Sequence, residues 1–228
     1  MSKGLFITGT GTDVGKTFTT ALIVKKLREN GLNAGYYKAA LSGAEKIKGK
    51  LVAGDAKYVC EVSGITDGPE SLVSYIYETA VSPHLAAQIE KLPIEMNVID
   101  ADFEQMKTRF DYVTVEGSGG IICPLRRDEQ TIMLTDVIKR LNLDVLIVAP
   151  SSLGTINSTV LTIEYAKQSG IAVKGIILNG YMEDNFLHVD NKFQIEQLTE
   201  TPVIACVPKN SNDLAIPLQV LTDLFKEI

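Results

Sequence analysis

The stretch Leu5-Phe-Ile-Thr-Gly9-Thr-Gly-Thr-Asp-Val-Gly15-Lys16-Thr17 decides the fold of this chain. A short apolar run enters a glycine-rich segment, and after Thr17 apolar residues recur at helical spacing as far as Gly31. A strand, a glycine-rich loop and a helix in this order predict a phosphate-binding loop, because backbone N–H groups and the helix N-terminus attract phosphate oxygens. Lys16 would contact the outer phosphates, and the Thr17 hydroxyl would face Mg²⁺. The first glycine stands at position 9 instead of 10, so the loop is one residue longer than usual.

Outside this stretch, short β-branched runs alternate with longer helical patterns, which is typical of a parallel sheet with crossover helices. The runs predict strands at residues 4–8, 34–38, 112–116, 145–149, 173–178 and 203–207. Helices are predicted after the phosphate-binding loop, over residues 93–109, and around 134–141 and 156–163, with loops at 40–54 and 180–190. We therefore expect a single domain over residues 1–228 with a P-loop NTPase-type α/β fold. Its sheet would be doubly wound and mainly parallel, with helices on both faces and ligands at the carboxyl ends of the strands.

The composition limits the kinds of partner. Hydrophobic residues make up 45% of the chain and charged residues 22%, which is ordinary for a protein with an apolar core. The net charge of −6 argues against nucleic acid or an anionic membrane as a partner, because both would repel such a surface. No stretch approaches the ~20 apolar residues that span a bilayer. We expect a cytoplasmic protein whose ligands are small molecules.

The cysteines do not form a recognisable pattern. Cys60, Cys123 and Cys206 are widely spaced, and none belongs to a Cys-x-x-Cys motif. Such spacing favours neither a disulfide framework nor a zinc site. We expect buried thiols in a reducing compartment.

Two acidic residues are candidate Mg²⁺ ligands. Glu116 ends one predicted strand and precedes the glycine-rich residues 117–120, which leave room for a ligand close to the backbone. Asp55 opens a predicted helix after the loop that follows the second strand. Mg²⁺ prefers oxygen ligands and usually takes one or two carboxylates beside phosphates. For Asp55, capping of that helix is an equally good interpretation.

Lys38 ends the second predicted strand, just before Ala-Ala-Leu-Ser42. Its position favours two interpretations equally: a solvated lysine, or a second cation in the cleft that contains Lys16. His84 and His188 are interpreted as structural or surface residues, because neither belongs to a Ser-His-Asp or Cys-His arrangement.

Several short strings occur together, in a characteristic order and spacing. They are the loop at residues 9–17, Gly35-Tyr-Tyr-Lys38 with Ser42-Gly43, Gly54-Asp55-Ala56, Ser82-Pro83-His84, Val115-Glu116-Gly117-Ser-Gly-Gly120, Leu153-Gly154-Thr-Ile-Asn157, and Asn179. In this combination the chain resembles the dethiobiotin synthetases, the ring-closing ligases of biotin synthesis. It differs from their usual pattern at Asp13, Ala39, Ala80 and Ser118, where glutamate, proline, proline and alanine are common.

The resemblance implies an ATP- and Mg²⁺-dependent reaction of 7,8-diaminononanoate with CO₂. One amine captures CO₂ as a carbamate, and a carbamate oxygen attacks the γ-phosphate of ATP to give a carbamic-phosphoric anhydride and ADP. The second amine then closes the cyclic urea and expels phosphate. Because carbamate and γ-phosphate are both anionic, bringing them together requires cations.

The resemblance also implies roles for particular residues. Thr17, Asp55 and Glu116 would bind Mg²⁺, and Lys16 and Lys38 would be the catalytic lysines. The residues expected to bind the nucleotide are Thr12, Asp13, Val14, Gly15, Lys16, Thr17, Asp55, Glu116, Gly117, Ser118, Gly119, Asn179, Gly180, Pro208, Lys209 and Asn210. The residues expected to bind the diamine substrate are Thr12, Lys38, Ser42, Ser82, Thr155, Ile156 and Asn157.

The segment at residues 155–157 bears on whether the protein forms a dimer. Thr155, Ile156 and Asn157 open the helix predicted around residues 156–163, whose first-turn N–H groups would attract an anion. In the resembling family this segment contacts the carboxylate tail of a substrate bound to the partner subunit. The resemblance therefore implies a homodimer with an active site at the interface.

Two other functions share the same loop. One is a different P-loop amidoligase that carries a glutaminase domain, but the 228 residues offer no nucleophilic Cys–His pair. The other is a partition or division-site ATPase that works as a nucleotide-dependent switch. Those ATPases usually have a second lysine early in the loop, where this chain has Thr10 and Gly11.

Overall fold

An eight-stranded sheet lies at the centre of the structure, a computed structural model that describes residues 1–228. The strands are β1 (Lys3–Gly9), β2 (Ala34–Ser42), β3 (Glu45–Ile47), β4 (Lys50–Val52), β5 (Val73–Tyr77), β6 (Tyr112–Glu116), β7 (Pro124–Arg127), β8 (Thr131–Met133), β9 (Val145–Pro150), β10 (Val173–Asn179), β11 (Val203–Val207) and β12 (Lys226–Glu227). The helices are α1 (Lys16–Glu29), α2 (Gly54–Ser63), α3 (Pro83–Ile89), α4 (Met96–Arg109), α5 (Leu134–Arg140), α6 (Thr155–Gln168), α7 (Phe186–Thr199) and α8 (Leu218–Asp223), with a 3₁₀ helix at Pro69–Leu72.

The strand order across the sheet is β11-β10-β9-β1-β6-β2-β5, and each of these neighbouring pairs is parallel. β12 is the exception, since it pairs antiparallel with the amino end of β1. From β1 the chain first builds the β2 and β5 side of the sheet and later adds β9, β10 and β11 on the other side. The carboxyl end of β1 therefore lies where the winding changes direction, the usual ligand position in such sheets. The expected doubly wound, mainly parallel sheet is confirmed.

All six strands predicted from the sequence are present, with ends that differ by no more than a few residues. The third parallel strand along the chain, β5, was not predicted. Its residues alternate between buried and partly exposed positions, and it forms the edge of the sheet. The prediction of a loop at 40–54 is wrong, because β2 runs on to Ser42 and a hairpin of β3 and β4 follows.

The hairpin between β3 and β4 has a local cause. Its two connecting residues, Lys48 and Gly49, have φ angles of +50° and +81°. Two consecutive residues with positive φ form the tight turn that matches the twist of paired antiparallel strands. A second hairpin, β7 with β8, lies between β6 and α5.

The helices predicted after the loop and around residues 93–109, 134–141 and 156–163 are confirmed as α1, α4, α5 and α6. The loop predicted at 180–190 is wrong in its second half, because α7 begins at Phe186. The side-chain oxygen of Asn185 caps this helix by accepting a hydrogen bond from the Leu187 N–H at 3.0 Å. The buried side of α7 carries His188 and Asn191, whereas Phe186 is 87% exposed, so an apolar stripe does not mark the helix in the sequence.

Successive residues of β2 point to opposite faces of the sheet. Tyr36 and Lys38 lie on the side of α1 and α2, whereas Tyr37 contacts α4, where its ring lies 5.8 Å from that of Phe103. Gly35 is on the same side as Tyr37, and a Cβ atom there would lie 2.2 Å from the ring of Phe110. The chain thus passes from α4 to β6 in close contact with the backbone of β2. None of the helices has the length and apolarity needed to cross a membrane.

Candidate active site

The phosphate-binding loop joins β1 to α1 as predicted. Asp13 and Gly15 have φ angles of +58° and +95°, so the backbone turns through left-handed conformations before the helix starts. Aspartate tolerates this conformation better than most residues. Gly15 is required for space, since a Cβ atom there would lie 2.0 Å from Nδ2 of Asn179.

Lys16, the first residue of α1, folds back over the loop. Its Nζ donates a hydrogen bond to the Gly11 carbonyl at 2.8 Å, and the side chain is buried. Burial and the positive charge of Lys38 lower the pKa of Lys16 from its ordinary value, whereas Glu116 and Asp55 act in the opposite direction. The two lysines therefore share one electrostatic environment, and the interpretation of Lys38 as a solvated residue is wrong.

Lys38 forms the centre of the site. Its Nζ donates hydrogen bonds to Oε1 of Glu116 at 2.7 Å and to Oδ2 of Asp55 at 2.5 Å. Burial lowers the pKa of Lys38, but the two carboxylates outweigh that effect and leave the pKa above its ordinary value. Lys38 therefore keeps its positive charge at neutral pH.

Asp55 lies in the first turn of α2, but it does not cap that helix. The N-cap residue is Ala53, and Asp55 is the second residue of the helix. Its carboxylate accepts from Lys38 instead. The capping interpretation of Asp55 is thus wrong, and the acid belongs to a cluster with Lys38 of β2 and with Glu116 at the carboxyl end of β6.

Thr17 connects the phosphate-binding loop to this cluster. Its hydroxyl donates to Oε1 of Glu116 at 2.8 Å, the same oxygen that accepts from Lys38, so the oxygens of Thr17, Glu116 and Asp55 belong to one connected cluster. This donor set suits a hard cation such as Mg²⁺. The chain has no group of three or more His, Cys, Asp or Glu residues of the kind that forms a complete metal cage. Two carboxylates and a hydroxyl fit Mg²⁺ that takes its remaining ligands from phosphates and water.

Tyr36 also contacts Glu116, which sequence reasoning missed. Its hydroxyl donates to Oε2 of Glu116 at 3.1 Å, and both side chains are buried. Burial and the charge of Glu116 raise the pKa of Tyr36, so the phenol keeps the proton that it donates. The signal was available in the sequence, because residues 36 and 38 of one strand must lie on the same face.

A cavity of about 440 Å³ opens over the loop and the cluster. Its lining includes these predicted site residues: Thr12, Asp13, Gly15, Lys16, Thr17, Lys38, Ser42, Asp55, Glu116, Ser118 and Gly119. Phe18, Ala40 and Leu41 also line it and were not predicted. The structure thus brings residues from four separate segments of the chain into one polar cavity.

A second cavity of about 620 Å³ shares Thr12, Asp13, Ser42, Ser118 and Gly119 with the first. It continues towards Ser82 and the start of α3, and is bounded on another side by Ile122 and Cys123. The Ser42 hydroxyl donates to the Val81 carbonyl at 2.6 Å. This hydrogen bond joins the end of β2 to the segment before α3 where both line the second cavity. Burial raises the pKa of the Cys123 thiol to about 11.

The residues predicted for the nucleotide base lie beside the phosphate-binding loop. Asn179 ends β10, and its Nδ2 donates to the Val14 carbonyl at 3.1 Å. A Cβ atom on Gly180 would lie 3.8 Å from the side chain of Lys209, so the segment after β11 packs next to the end of β10. Residues 179–180 and 208–210 are therefore neighbours, although neither segment lines the two cavities.

Residues 155–157 do not reach this site within the chain. They open α6 after β9 and line neither cavity. Thr155 is buried, and its N–H donates to the Ser152 carbonyl at 3.2 Å. The expectation that this N–H is available to an anion is therefore wrong. The N–H groups of Ile156 and Asn157 have no acceptor in the protein.

The two histidines lie outside the cluster. Nδ1 of His188 accepts from the Met182 N–H at 3.0 Å, which fixes the start of α7. His84 lies on α3 and faces a separate small cavity with Lys91 and Arg127. Cys60 and Cys123 are buried, Cys206 is partly buried, and all three are free thiols as expected.

The parallel sheet, the loop before α1 and the lysine–carboxylate cluster define a P-loop nucleotide-binding protein. A family model described as an AAA domain matches residues 3–213. The septum site-determining protein MinD of Pyrococcus horikoshii OT3 has a TM-score of 0.56 over 92% of this chain and 82% of its own, at 15% identity. A ParA family ATPase from Chlorobium tepidum TLS has a TM-score of 0.59 over 93% and 87%, at 14% identity. At such identities the similarity concerns the fold.

Two relatives match the whole length of the chain. The ATP-dependent dethiobiotin synthetase BioD of Clostridium botulinum (strain 657 / Type Ba4) is 53% identical over 228 residues, which is 100% of both chains. BioD of Clostridium botulinum (strain Eklund 17B / Type B) is 54% identical over 225 residues, 99% of each chain. The chain therefore belongs to the ATP-dependent dethiobiotin synthetase family.

Proposed function

We propose that this chain makes dethiobiotin from 7,8-diaminononanoate, CO₂ and ATP in the two connected cavities. The observation that carries the proposal is the position of Lys38, whose ammonium group lies between Glu116 and Asp55 next to the phosphate-binding loop. A switch ATPase needs the loop and its metal ligands, but it does not need a second, larger cavity beside them. Here that cavity of about 620 Å³ is open to a substrate.

The first cavity is proposed to bind the triphosphate. The loop supplies backbone N–H groups and the start of α1, and Lys16 supplies a charge that its buried position strengthens. Asn179 and Gly180, with Pro208, Lys209 and Asn210, are proposed to contact the base. Support for this comes from the Asn179 hydrogen bond to the Val14 carbonyl, which brings this segment next to the phosphate-binding loop.

The second cavity is proposed to bind the diamine, with its amines towards Lys38, Thr12 and Ser42. One amine takes up CO₂, and the resulting carbamate oxygen attacks the γ-phosphorus while ADP leaves. The second amine then attacks the carbamate carbon, the C–O bond to phosphate breaks, and the cyclic urea forms. Ser82 at the start of α3 contacts the same cavity and is proposed to bind the substrate.

Lys38 is proposed to act as a fixed cation and not as a base. Its pKa lies above the ordinary value, so it does not accept a proton at neutral pH. A permanent charge beside the carbamate stabilises the negative oxygen as it approaches the phosphate. The same charge disfavours the protonated form of a nearby substrate amine, which keeps that amine nucleophilic.

Thr17, Asp55 and Glu116 are proposed to bind Mg²⁺ together with the phosphates. When bound there, the ion would neutralise charge that develops on the transferred phosphoryl group. The ammonium group between the two carboxylates supports this assignment, because it demonstrates that the cluster stabilises a positive charge. Hydrogen bonds keep the two acids in place: Thr17 donates to Glu116, and Lys38 donates to both carboxylates.

A homodimer is proposed to complete the diamine site. Residues 155–157 lie outside the cavities of their own chain, yet α6 begins with two N–H groups that lack an acceptor. Leu153, just before them, is 85% exposed, and Ile122 at the second cavity is 61% exposed. Exposed apolar side chains next to ligand-binding groups are typical of a contact between protein surfaces. We propose that residues 154–157 of one protomer bind the carboxylate tail of the substrate in its partner.

The function is tested by supplying ATP, the diamine and ¹³C-labelled bicarbonate. We expect ATP consumption that requires the diamine, and dethiobiotin whose mass is raised by the incorporated label. The Lys16→Gln chain, purified in parallel, controls for contaminating activity. ATP hydrolysis that proceeds without the diamine and yields no dethiobiotin would contradict the proposal and favour a switch ATPase.

A further inference from the structure

We propose that Tyr36 is a positioning residue for Glu116, restricting the rotation of the carboxylate so that Oε1 faces Thr17 and Lys38. The inference rests on the proposed role of Glu116 as a Mg²⁺ ligand. Nothing in that role requires a tyrosine at position 36, and the contact follows from the geometry of this chain alone.

The hydrogen bonds of Glu116 divide its two oxygens. Oε1 accepts from Thr17 Oγ1 at 2.8 Å and from Lys38 Nζ at 2.7 Å, whereas Oε2 accepts only from Tyr36 Oη at 3.1 Å. The terminal torsion of a glutamate is broad and has no strong preference of its own. The donor on the second oxygen therefore adds a third constraint on the rotation of the carboxylate, beside the two donors on Oε1.

The position of Tyr36 suits this task. Its ring is fully buried in the face of the sheet that carries Lys38 and Glu116, and its hydroxyl has Glu116 as its sole partner. β2 and β6 pair with Lys38 opposite Glu116 and Tyr36 opposite Thr114, so the phenol approaches the carboxylate along the strand. A rigid ring anchored in the core fixes the carboxylate more firmly than a flexible surface donor can, because its hydroxyl has little freedom to move.

Hydrogen bonds to ligating carboxylates have a known effect in metal sites. Losing such a partner typically lowers metal affinity or activity by about 10–100-fold while the ligand itself stays in place. Tyr36→Phe removes one oxygen atom and keeps the ring. We therefore expect weaker metal binding with little change in packing.

Tyr37→Phe is the matched control. Tyr37 is the next residue of β2, is equally buried, and uses its hydroxyl on the other face of the sheet, 2.7 Å from Ser74 Oγ. Both variants lose a buried phenol hydroxyl with a hydrogen bond, so both should lose a similar amount of stability. Only Tyr36→Phe should affect the metal.

The experiment measures Mn²⁺ binding to the whole protein saturated with ADP, by electron paramagnetic resonance and without turnover. We expect the Mn²⁺ dissociation constant to rise at least about 10-fold in Tyr36→Phe and to stay unchanged in Tyr37→Phe. An unchanged constant in both variants would overturn the inference, as would an equal rise in both.

Glu116→Gln separates this inference from the proposed function. If Glu116→Gln binds Mn²⁺ as well as the unchanged protein does, Glu116 is not a ligand and the proposed metal site fails. If Glu116→Gln weakens binding but Tyr36→Phe does not, only the role of Tyr36 fails. In the Glu116→Gln background, adding Tyr36→Phe should cause no further loss, since the two changes act on one interaction.

A second measurement does not depend on the folding of Tyr36→Phe. With 3-fluorotyrosine incorporated at position 36 alone, the ¹⁹F resonance should shift when Mg²⁺ is added to the ADP complex. An unchanged chemical shift on addition of Mg²⁺ would contradict coupling between the phenol and the metal site. The same label at position 37 should not respond.

Discussion

The ammonium group of Lys38 lies 2.7 Å from Oε1 of Glu116, and both side chains are almost fully buried. A buried carboxylate that loses its cation remains unpaired in a poorly solvated position. This contact therefore links the chemistry of the site to the stability of the fold.

Lys38→Met is expected to lose both activity and stability. Breaking a buried ion pair by removing one partner costs about 3–5 kcal/mol, which urea denaturation at neutral pH would measure. Lys38→Arg is the control, since it keeps the charge but changes the reach of the donor, and should recover more stability than turnover. A Lys38→Met chain as stable as the parent would contradict the pairing of Lys38 with Glu116.

Lys16→Gln is expected to fold normally and to turn over about 10²–10³-fold more slowly, because the lost charge acts mainly on the transferring phosphoryl group. Steady-state kinetics with the diamine measures the effect, and circular dichroism checks the fold. Lys26→Gln, on the same helix but distant in the sequence from the loop, serves as the control. Near-normal kcat in Lys16→Gln would remove this residue from the mechanism.

Asp55→Asn and Glu116→Gln are each expected to raise the Mg²⁺ concentration needed for half-maximal activity. Both substitutions keep the size of the side chain and remove its charge. Glu61→Gln, on the exposed side of α2, is the control for Asp55→Asn. If neither variant changes the Mg²⁺ dependence, these acids do not bind the metal.

Gly154→Val is expected to raise the KM for the diamine while leaving nucleotide affinity intact. Gly154 has a φ angle of +91° and open space around its Cβ position, so the substitution strains the backbone at the start of α6 without a collision. Moving the N–H groups of Ile156 and Asn157 should remove an anion contact worth roughly 1 kcal/mol, about a fivefold change in KM.

Mixing the Lys16→Gln and Gly154→Val chains, at a diamine concentration well below the KM, tests the shared site. Because the two residues would contribute to one site from different protomers, a mixed dimer contains one site with neither change. We expect the mixture to turn over the diamine faster than the average of the two variants assayed alone. No such gain, with subunit exchange demonstrated by native mass spectrometry, would exclude the shared site.

Cys123 is expected to react slowly with iodoacetamide at pH 8 and faster as the pH approaches about 11, the value to which burial raises the pKa of its thiol. Because its pKa is raised, Cys123 stays a protonated and therefore unreactive thiol up to a higher pH. Bound diamine should protect Cys123 but not Cys60, whose pKa is also about 11 but which lines neither cavity. Peptide mass spectrometry measures both rates, and equal protection of the two thiols would place Cys123 outside the substrate cavity.

The sequence predicted the parallel strands well because burial on both faces leaves continuous apolar runs. It failed for β5, an edge strand with alternating exposure, and for α7, whose buried side carries His188 and Asn191. The hairpin at Lys48 and Gly49 depends on a turn conformation that short polar strands do not reveal. These elements follow from tertiary contacts more than from local pattern.

The site was predictable at Glu116, which ends β6 as expected. Lys38 was predicted to end its strand, but it lies in the middle of β2, which runs on to Ser42. The site was not predictable where the choice depended on packing between elements. Whether Asp55 caps α2 or approaches Lys38 is decided by how α2 lies against β2, which no local pattern encodes. Strand alternation gives only the shared face of residues 36 and 38, so the pairing of the Tyr36 hydroxyl with Glu116 required the assembled sheet. The lining by Ile122 and Cys123 required it as well.

The contact between Gly35 and Phe110 limits how this chain can diverge. A side chain at position 35 would occupy the space of the Phe110 ring, so a larger residue there becomes acceptable only after position 110 has become smaller. The two positions lie far apart in the sequence and outside the cluster of Lys38, Asp55 and Glu116. Among related sequences they should therefore change as a correlated pair, and an alignment would record the contact as covariation where neither position alone is invariant.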